Sequence, residues 1–161
     1  CGKTTTGRAL AGKLEQPFMD LDEQVEFAAG VEVRTIFETR GEETFRRLGS
    51  EALERTLEVE DAVVATGGGT GTGERNRDWV RLNGLPIWLN LPFSAIAARI
   101  GEADRMSRPL FKDEAQTLEL FRERLPDYRK ADMTIDIDST EEASEIAARI
   151  VQLMGDRVCN S

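Results

Sequence analysis

Cys1-Gly2-Lys3-Thr4-Thr5-Thr6 opens the chain and leads directly into a helical pattern to Leu14, in which Ala9, Leu10 and Leu14 recur at helical spacing. Gly2-Lys3-Thr4 matches the second half of the phosphate-binding loop, whose consensus is Gly, four residues of any type, then Gly-Lys-Ser/Thr. The chemistry follows from the residue types. Gly2 lets backbone approach an oxygen, successive N–H groups point at phosphates, Lys3 reaches the β and γ oxygens, and the Thr4 hydroxyl can hold Mg²⁺. Three matching residues also describe an ordinary helix start, so the rest of the chain must decide. The opening Gly of the consensus, and the buried strand expected before such a loop, are not in this sequence.

Working outward, Pro17 to Asp22 reads as a short strand turning acidic at its carboxyl end. Ligands of open α/β sheets bind at that end. Period two would put Asp20 and Asp22 on one side of the strand, facing the crevice. The competing reading makes them helix caps for the segment from Glu23. Glu23–Ala29 and Val31–Thr39 read as helices broken at Gly30, and Gly41 ends the second. A long helix from about Glu42 to Glu60 carries Phe45-Arg46-Arg47-Leu48.

Ala62 to Thr66 is β-branched without polar alternation, as in a strand buried on both faces, and Gly67-Gly68-Gly69 follows it. Three glycines there permit either a tight turn or a ligand lying against bare backbone. Glu74–Leu82 reads as a helix, Pro86–Leu91 as another buried strand and Phe93–Ile100 as an apolar helix. From Gly101 to Lys112 periodicity is lost and charge concentrates around Pro109, a pattern that suits a surface loop or an arginine-bearing lid. Leu118 to about Lys130 is helical with Pro126 interrupting it, and Met133–Ile137 is the last strand. Ser139 with Glu142 forms a capping box for a final helix whose core face includes Ile146, Ile150 and Leu153.

Composition narrows the class. The chain has 161 residues, one domain's worth, and a net charge of −9, which disfavours a nucleic-acid surface. It has no histidine, so acid–base work falls to carboxylates or lysine. Cys1 and Cys159 lie at opposite ends with no metal spacing, which points to a reduced, cytosolic setting. No apolar run has membrane-spanning length. A targeting peptide stays compatible with a chain that begins inside a motif.

Alternating strands and helices imply a parallel sheet with right-handed crossovers. With that order in place the sequence resembles the shikimate kinases, over nearly all of Cys1 to Leu153. The resemblance rests on Gly2-Lys3-Thr4, Asp20-x-Asp22, Ile36-Phe37 through Gly41-Glu42 to Phe45-Arg46, Gly67-Gly68-Gly69, Arg108-Pro109-Leu110 and Arg124-x-Pro126-x-Tyr128, all in family order. It implies an α/β fold, a three-layer α/β/α P-loop NTPase of the nucleoside monophosphate kinase type. Its parallel sheet would have order 2-3-1-4-5, the first strand not being in this sequence. A single domain over 1–154, with a lid at about 101–113 and a loose tail at 155–161, is expected.

The activity implied is ATP-dependent phosphorylation of the shikimate 3-hydroxyl, in the pathway to aromatic amino acids, with Mg²⁺ and by a monomer. By similarity, Cys1, Gly2, Lys3, Thr4, Thr5, Arg99 and Arg108 would bind ATP, with Lys3, Asp22 and Arg108 catalytic. Asp22, Arg46, Gly67, Gly68, Gly69 and Arg124 would hold shikimate, and Thr4 and Asp20 the metal ion. Two arginines suit a small carboxylate because each planar fork can donate two parallel hydrogen bonds.

Three departures stand out. The loop is incomplete, the stretch from Arg99 to Arg108 is longer than in some relatives, and Gly49 stands where many relatives carry a glutamate that pairs with the substrate-side arginine. Arg46 is therefore expected to lack an orienting partner, since Glu51 lies on another helix face. The alternatives are a gluconate kinase-like enzyme with the same loop, sheet and lid, and a nucleotide- or shikimate-binding module without turnover.

Overall fold

The apolar runs form short parallel strands and the amphipathic stretches form the crossovers between them. The computed structural model describes residues 2–99 and 114–159. In chain order these form α1 (Lys3–Leu14), β1 (Phe18–Asp20), α2 (Leu21–Ala29), α3 (Val33–Arg55), β2 (Val63–Ala65), α4 (Glu74–Asn83), β3 (Ile87–Asn90), α5 (Phe93–Arg99), α6 (Glu114–Tyr128), β4 (Met133–Asp136) and α7 (Ala143–Cys159). Single 3₁₀ turns stand at Thr56–Glu58 and Thr70–Thr72. Cys1, Arg108 and the expected lid over 101–113 lie outside the described residues. Among the described residues, no helix is long and apolar enough to cross a membrane.

Strand β1 pairs in parallel with β2, Phe18 opposite Val63 and Asp20 opposite Ala65. Strand β3 pairs in parallel with β4, Ile87 opposite Met133 and Asn90 opposite Asp136. These pairs are the 2-3 and 4-5 neighbours of the expected order. Two hydrophobic cores lie against the strands. Leu10 of α1, Leu91, Met133, Ile135 and Ile137, and Ile146, Ala147 and Ile150 of α7 form one. Leu21 and Val25 of α2 with Ile36, Phe45, Ala52 and Leu53 of α3 form the other. Neighbouring β2 residues serve both, because side chains alternate across a strand: Val63 packs on the first core and Val64 on the second. The three layers of an α/β/α sandwich follow.

Several expectations are corrected. Strand β1 stops at Asp20, so Asp22 sits in the first turn of α2 and Asp20 caps that helix. Pro126 does not interrupt α6, which continues to Tyr128. Pro126 has no N–H to give the Arg122 carbonyl, but the ladder resumes after it, Arg129 N–H reaching the Leu125 carbonyl at 3.1 Å. The helix expected to reach Glu60 ends at Arg55. At Gly41 the backbone leaves helical geometry (φ 78°, ψ 168°), so α3 consists of two helices meeting at the break expected there. The box expected at Ser139 and Glu142 is displaced, since Glu145 accepts from the N–H of Glu142 at 3.0 Å. Ahead of it Asp138 accepts from both N–H and hydroxyl of Thr140, a local turn that competes with helix. Leu153 is exposed, with Ile146, Ala147 and Ile150 forming the buried face of α7. Residues 155–159, expected to be loose, continue that helix.

Candidate active site

Gly2 adopts φ 78° and ψ 21°, a left-handed turn that favours glycine, and its carbonyl accepts from Thr6 N–H at 2.8 Å. The first-turn N–H groups of α1 are thereby left to face a ligand, and Lys3, Thr4 and Thr5 occupy that turn. Phe18 seats β1 against α1. A Cβ on Gly7 would come 2.7 Å from the Phe18 ring, and the Arg8 guanidinium lies 4.6 Å from its centroid. Arg8 also pairs with Glu23 at 2.7 Å, tying α1 to α2.

That bracing brings Asp20 to Thr4. The Thr4 hydroxyl donates to Asp20 Oδ2 at 2.7 Å, and the N–H of Asp22 donates to Oδ1 at 2.9 Å. One carboxylate thus caps α2 and faces the phosphate-loop threonine. Two hard oxygen donors at a phosphate loop fit Mg²⁺, which holds few protein ligands and keeps several waters. A site of this kind needs no larger cluster, and among the described residues no group of three or more His, Cys, Asp or Glu could hold a metal.

The glycine run after β2 forms the second half of the site. A Cβ on Gly67 would overlap Asp22 Oδ1 and come 3.0 Å from its carboxyl carbon. A Cβ on Gly68 would lie 2.9 Å from Arg124 Nη1, and one on Gly69 would lie 3.6 Å from Nη2. The glycines therefore admit two charged side chains, Asp22 from α2 and Arg124 from α6, against bare backbone. Tyr128, one turn after Arg124, donates its hydroxyl to the Gly68 carbonyl at 3.2 Å and stacks on Trp88 with centroids 6.2 Å apart.

Arg46 is bound back along its own helix. Its Nε and Nη2 both donate to Glu42 Oε1, at 3.0 and 2.6 Å. The expectation that Arg46 lacks an orienting partner is corrected, since Glu42 one turn earlier supplies one. Glu51 pairs with Arg47 instead. Gly49 is buried, and a Cβ there would stand 2.6 Å from Thr70 Oγ1. Arg99 is the last residue of α5.

The sequence reading assigned no role to four residues that hold this arrangement. Asn76 donates to the carbonyl of Thr70 and to Ser50 Oγ, both at 2.9 Å. Arg77 pairs with Asp127, largely shielded from water at 15% and 25% exposure. For Tyr128 and Asp127 a signal existed, because their spacing of four and three from Arg124 puts all three on one face of α6. For Asn76 and Arg77 none did.

Comparison with known proteins shows the family and the fold. A family model described as shikimate kinase matches residues 1–155. The shikimate kinase of Rhizobium meliloti (strain 1021) is 39% identical over 155 residues, 92% of this chain and 80% of that protein. The shikimate kinase of Ruegeria pomeroyi is 35% identical over 159 residues, 97% of this chain and 80% of its own length. Among solved structures, a shikimate kinase from Acinetobacter baumannii in complex with shikimate superimposes with a TM-score of 0.91 at 32% identity, covering 97% of this chain and 88% of that one. A gluconokinase from Sinorhizobium meliloti reaches 0.56 at 19% identity, a likeness of fold alone.

Proposed function

The chain belongs to the shikimate kinase family, and on that premise we propose how its residues divide the work of passing the γ-phosphoryl group of ATP to the 3-hydroxyl of shikimate. The observation that carries the proposal is the glycine run, which takes the carboxylate of Asp22 on one side and the guanidinium of Arg124 on the other. A ring acid bearing hydroxyls and one carboxylate needs that pairing. The gluconate kinase alternative is not favoured.

Phosphoryl transfer asks little covalent chemistry of the protein and much positioning and positive charge. Gly2, Lys3, Thr4 and Thr5 bind the phosphates of ATP at the start of α1, with Lys3 on the β and γ oxygens. Thr4 and Asp20 would hold Mg²⁺, which would supply positive charge against those oxygens. Asp22 accepts from the acceptor hydroxyl and takes its proton as the bond to phosphorus forms. Arg124, the backbone of Gly68 and Arg46 hold the shikimate carboxylate, Arg46 with its guanidinium presented by Glu42. Arg108 and Arg99 are assigned to ATP by the family resemblance, Arg108 to the transferring phosphate and Arg99 to the adenine side.

The test is ADP release with Mg·ATP, with shikimate or gluconate, on this chain and on one given a strand and complete glycine-rich loop ahead of Cys1. Shikimate-dependent ADP and shikimate 3-phosphate from the extended protein are expected. ADP formed with gluconate but not shikimate would overturn the assignment, and shikimate binding without ADP from either would favour the binding-module reading.

Two substitutions separate the halves of the site. Arg124→Ala removes a charge-assisted pair contributing about 2–3 kcal/mol, so the KM for shikimate should rise by roughly 30- to 150-fold with that for ATP little changed. A change confined to ATP affinity would put Arg124 on the wrong side. Asp20→Asn keeps a good N-cap residue but removes the charge facing Thr4. It should leave the melting temperature within about 2 °C, because a cap exchange of this kind costs only tenths of a kcal/mol. The Mg²⁺ concentration for half-maximal rate should rise about tenfold or more, the loss expected when a hard-cation ligand is neutralised.

A further inference from the structure

We propose that Arg77 is a positioning residue for shikimate binding, acting on Arg124 through Asp127. The inference rests on Arg124 holding the substrate carboxylate. Helix α6 presents Arg124, Asp127 and Tyr128 on one face. Arg124 lies over Gly68 and Gly69, and Tyr128 bonds the Gly68 carbonyl. Asp127 turns the other way, to Arg77 on α4, in an ion pair mostly withdrawn from water. Lys130 adds a longer contact to the same carboxylate oxygen at 3.5 Å.

Asn76, next to Arg77, holds the carbonyl of Thr70 at the far end of the glycine run and also reaches Ser50 on α3. Two successive residues of α4 therefore grip the two parts that must close on a carboxylate: Asn76 the glycine loop, Arg77 the helix that carries Arg124. The separation between the Gly68 backbone and the Arg124 fork is fixed by α4. A planar fork tolerates little misplacement when it must meet a carboxylate bidentately.

Arg77 has a second effect, through charge. Asp127 stands three residues after Arg124, close enough on a helix for direct pairing. With Arg77 in place, its carboxylate is engaged at α4. Without Arg77, Asp127 keeps only its longer Lys130 contact, and Arg124, three residues away on the same face, becomes a competing partner. The substrate would then compete with Asp127 for Arg124.

The experiment compares Arg77→Gln, Arg77→Lys and the double variant Arg77→Gln/Asp127→Asn in steady-state kinetics, with melting temperatures for each, in the protein that shows shikimate-dependent turnover. Arg77→Gln should raise the KM for shikimate about tenfold or more, a loss of one well-placed charged contact, with the KM for ATP within about twofold. Removing the competing charge in the double variant should return the part of that affinity lost to competition, the part lost to positioning staying lost, and Arg77→Lys should retain more than Arg77→Gln. An unchanged shikimate KM in Arg77→Gln, or a double variant no better than the single one, overturns the inference. If Arg77→Gln does not fold, Arg77→Lys and the double variant decide by the same ordering. The underlying reading fails separately: Arg124→Ala without effect on shikimate KM sinks it, whereas a large Arg124→Ala effect beside an inert Arg77 sinks only this proposal.

Discussion

Asp22→Asn is expected to lower kcat by about 10²–10⁴-fold, the usual worth of a positioned general base, while ATP affinity changes by less than about twofold. The substitution is nearly isosteric, which matters at this position. Asp22 fits against Gly67 so closely that a Cβ on the glycine would overlap its oxygen, and an amide can take the same space. The fold, the cap that Asp20 places on the Asp22 N–H, and the Thr4 contact all stay as they are. What disappears is an acceptor able to take a proton. Single-turnover rates with binding titrations for each substrate would check this. Equal losses in turnover and ATP binding would remove Asp22 from its role. Gly67→Ala offers the steric counterpart, since its methyl must push Asp22 aside, and it should reduce turnover with Asp22 chemically intact.

The second large effect concerns stability, at Gly49. Gly49→Glu is expected to destabilise the protein by about 2–5 kcal/mol, combining overpacking with burial of a poorly paired carboxylate. At about 2–4 °C per kcal/mol for a chain of this size, the melting temperature should fall by roughly 4–20 °C. The cause is Thr70, which is 2% exposed and has its hydroxyl 2.6 Å from where a Cβ on Gly49 would stand. Among the described residues that buried hydroxyl has no hydrogen-bond partner, so removing it breaks no side-chain or backbone bond with them.

A double-mutant cycle exposes the coupling. Gly49→Ala gains up to about 1 kcal/mol of helix propensity, offset here by the clash. In a Thr70→Ala background the nearest remaining Thr70 atom is the Cβ at 3.5 Å, an ordinary contact, and the alanine should then stabilise. The pair should show a coupling of about 1–2 kcal/mol. Additive effects would mean Thr70 moves freely and does not set the residue allowed at 49. A glutamate at 49 is accordingly no simple repair for Arg46, whose guanidinium Glu42 already holds.

The fold was largely legible in the chain. Gly2-Lys3-Thr4 before a helical pattern, an unbroken β-branched run at Val63 and Val64, and glycines following it report local conformation, which a sequence expresses through φ preference and hydrophobic period. The parallel pairings β1-β2 and β3-β4 follow from the alternation of strand and helix. Boundaries were less legible because they depend on competition among near-equal local choices. Asp20, rather than Asp22, became the cap once β1 ended two residues early, and α6 continued past Pro126 to Tyr128.

The residue types of the site were also in the sequence: a hydroxyl and carboxylate for a hard cation, a carboxylate for a proton, arginines for an anion. Their partners were not. Glu42 on Arg46, Thr70 against Gly49, Tyr128 on Gly68 and Arg77 on Asp127 depend on how helices rotate and pack. Arg77 and Asp127 are separated by 50 positions, and no periodicity relates side chains so far apart. Sequence determines which conformations and chemistries each segment can offer, because those preferences act within a turn or two of backbone. Which charges meet, and which small residue faces which buried hydroxyl, is decided by the packing of whole elements around two shared cores.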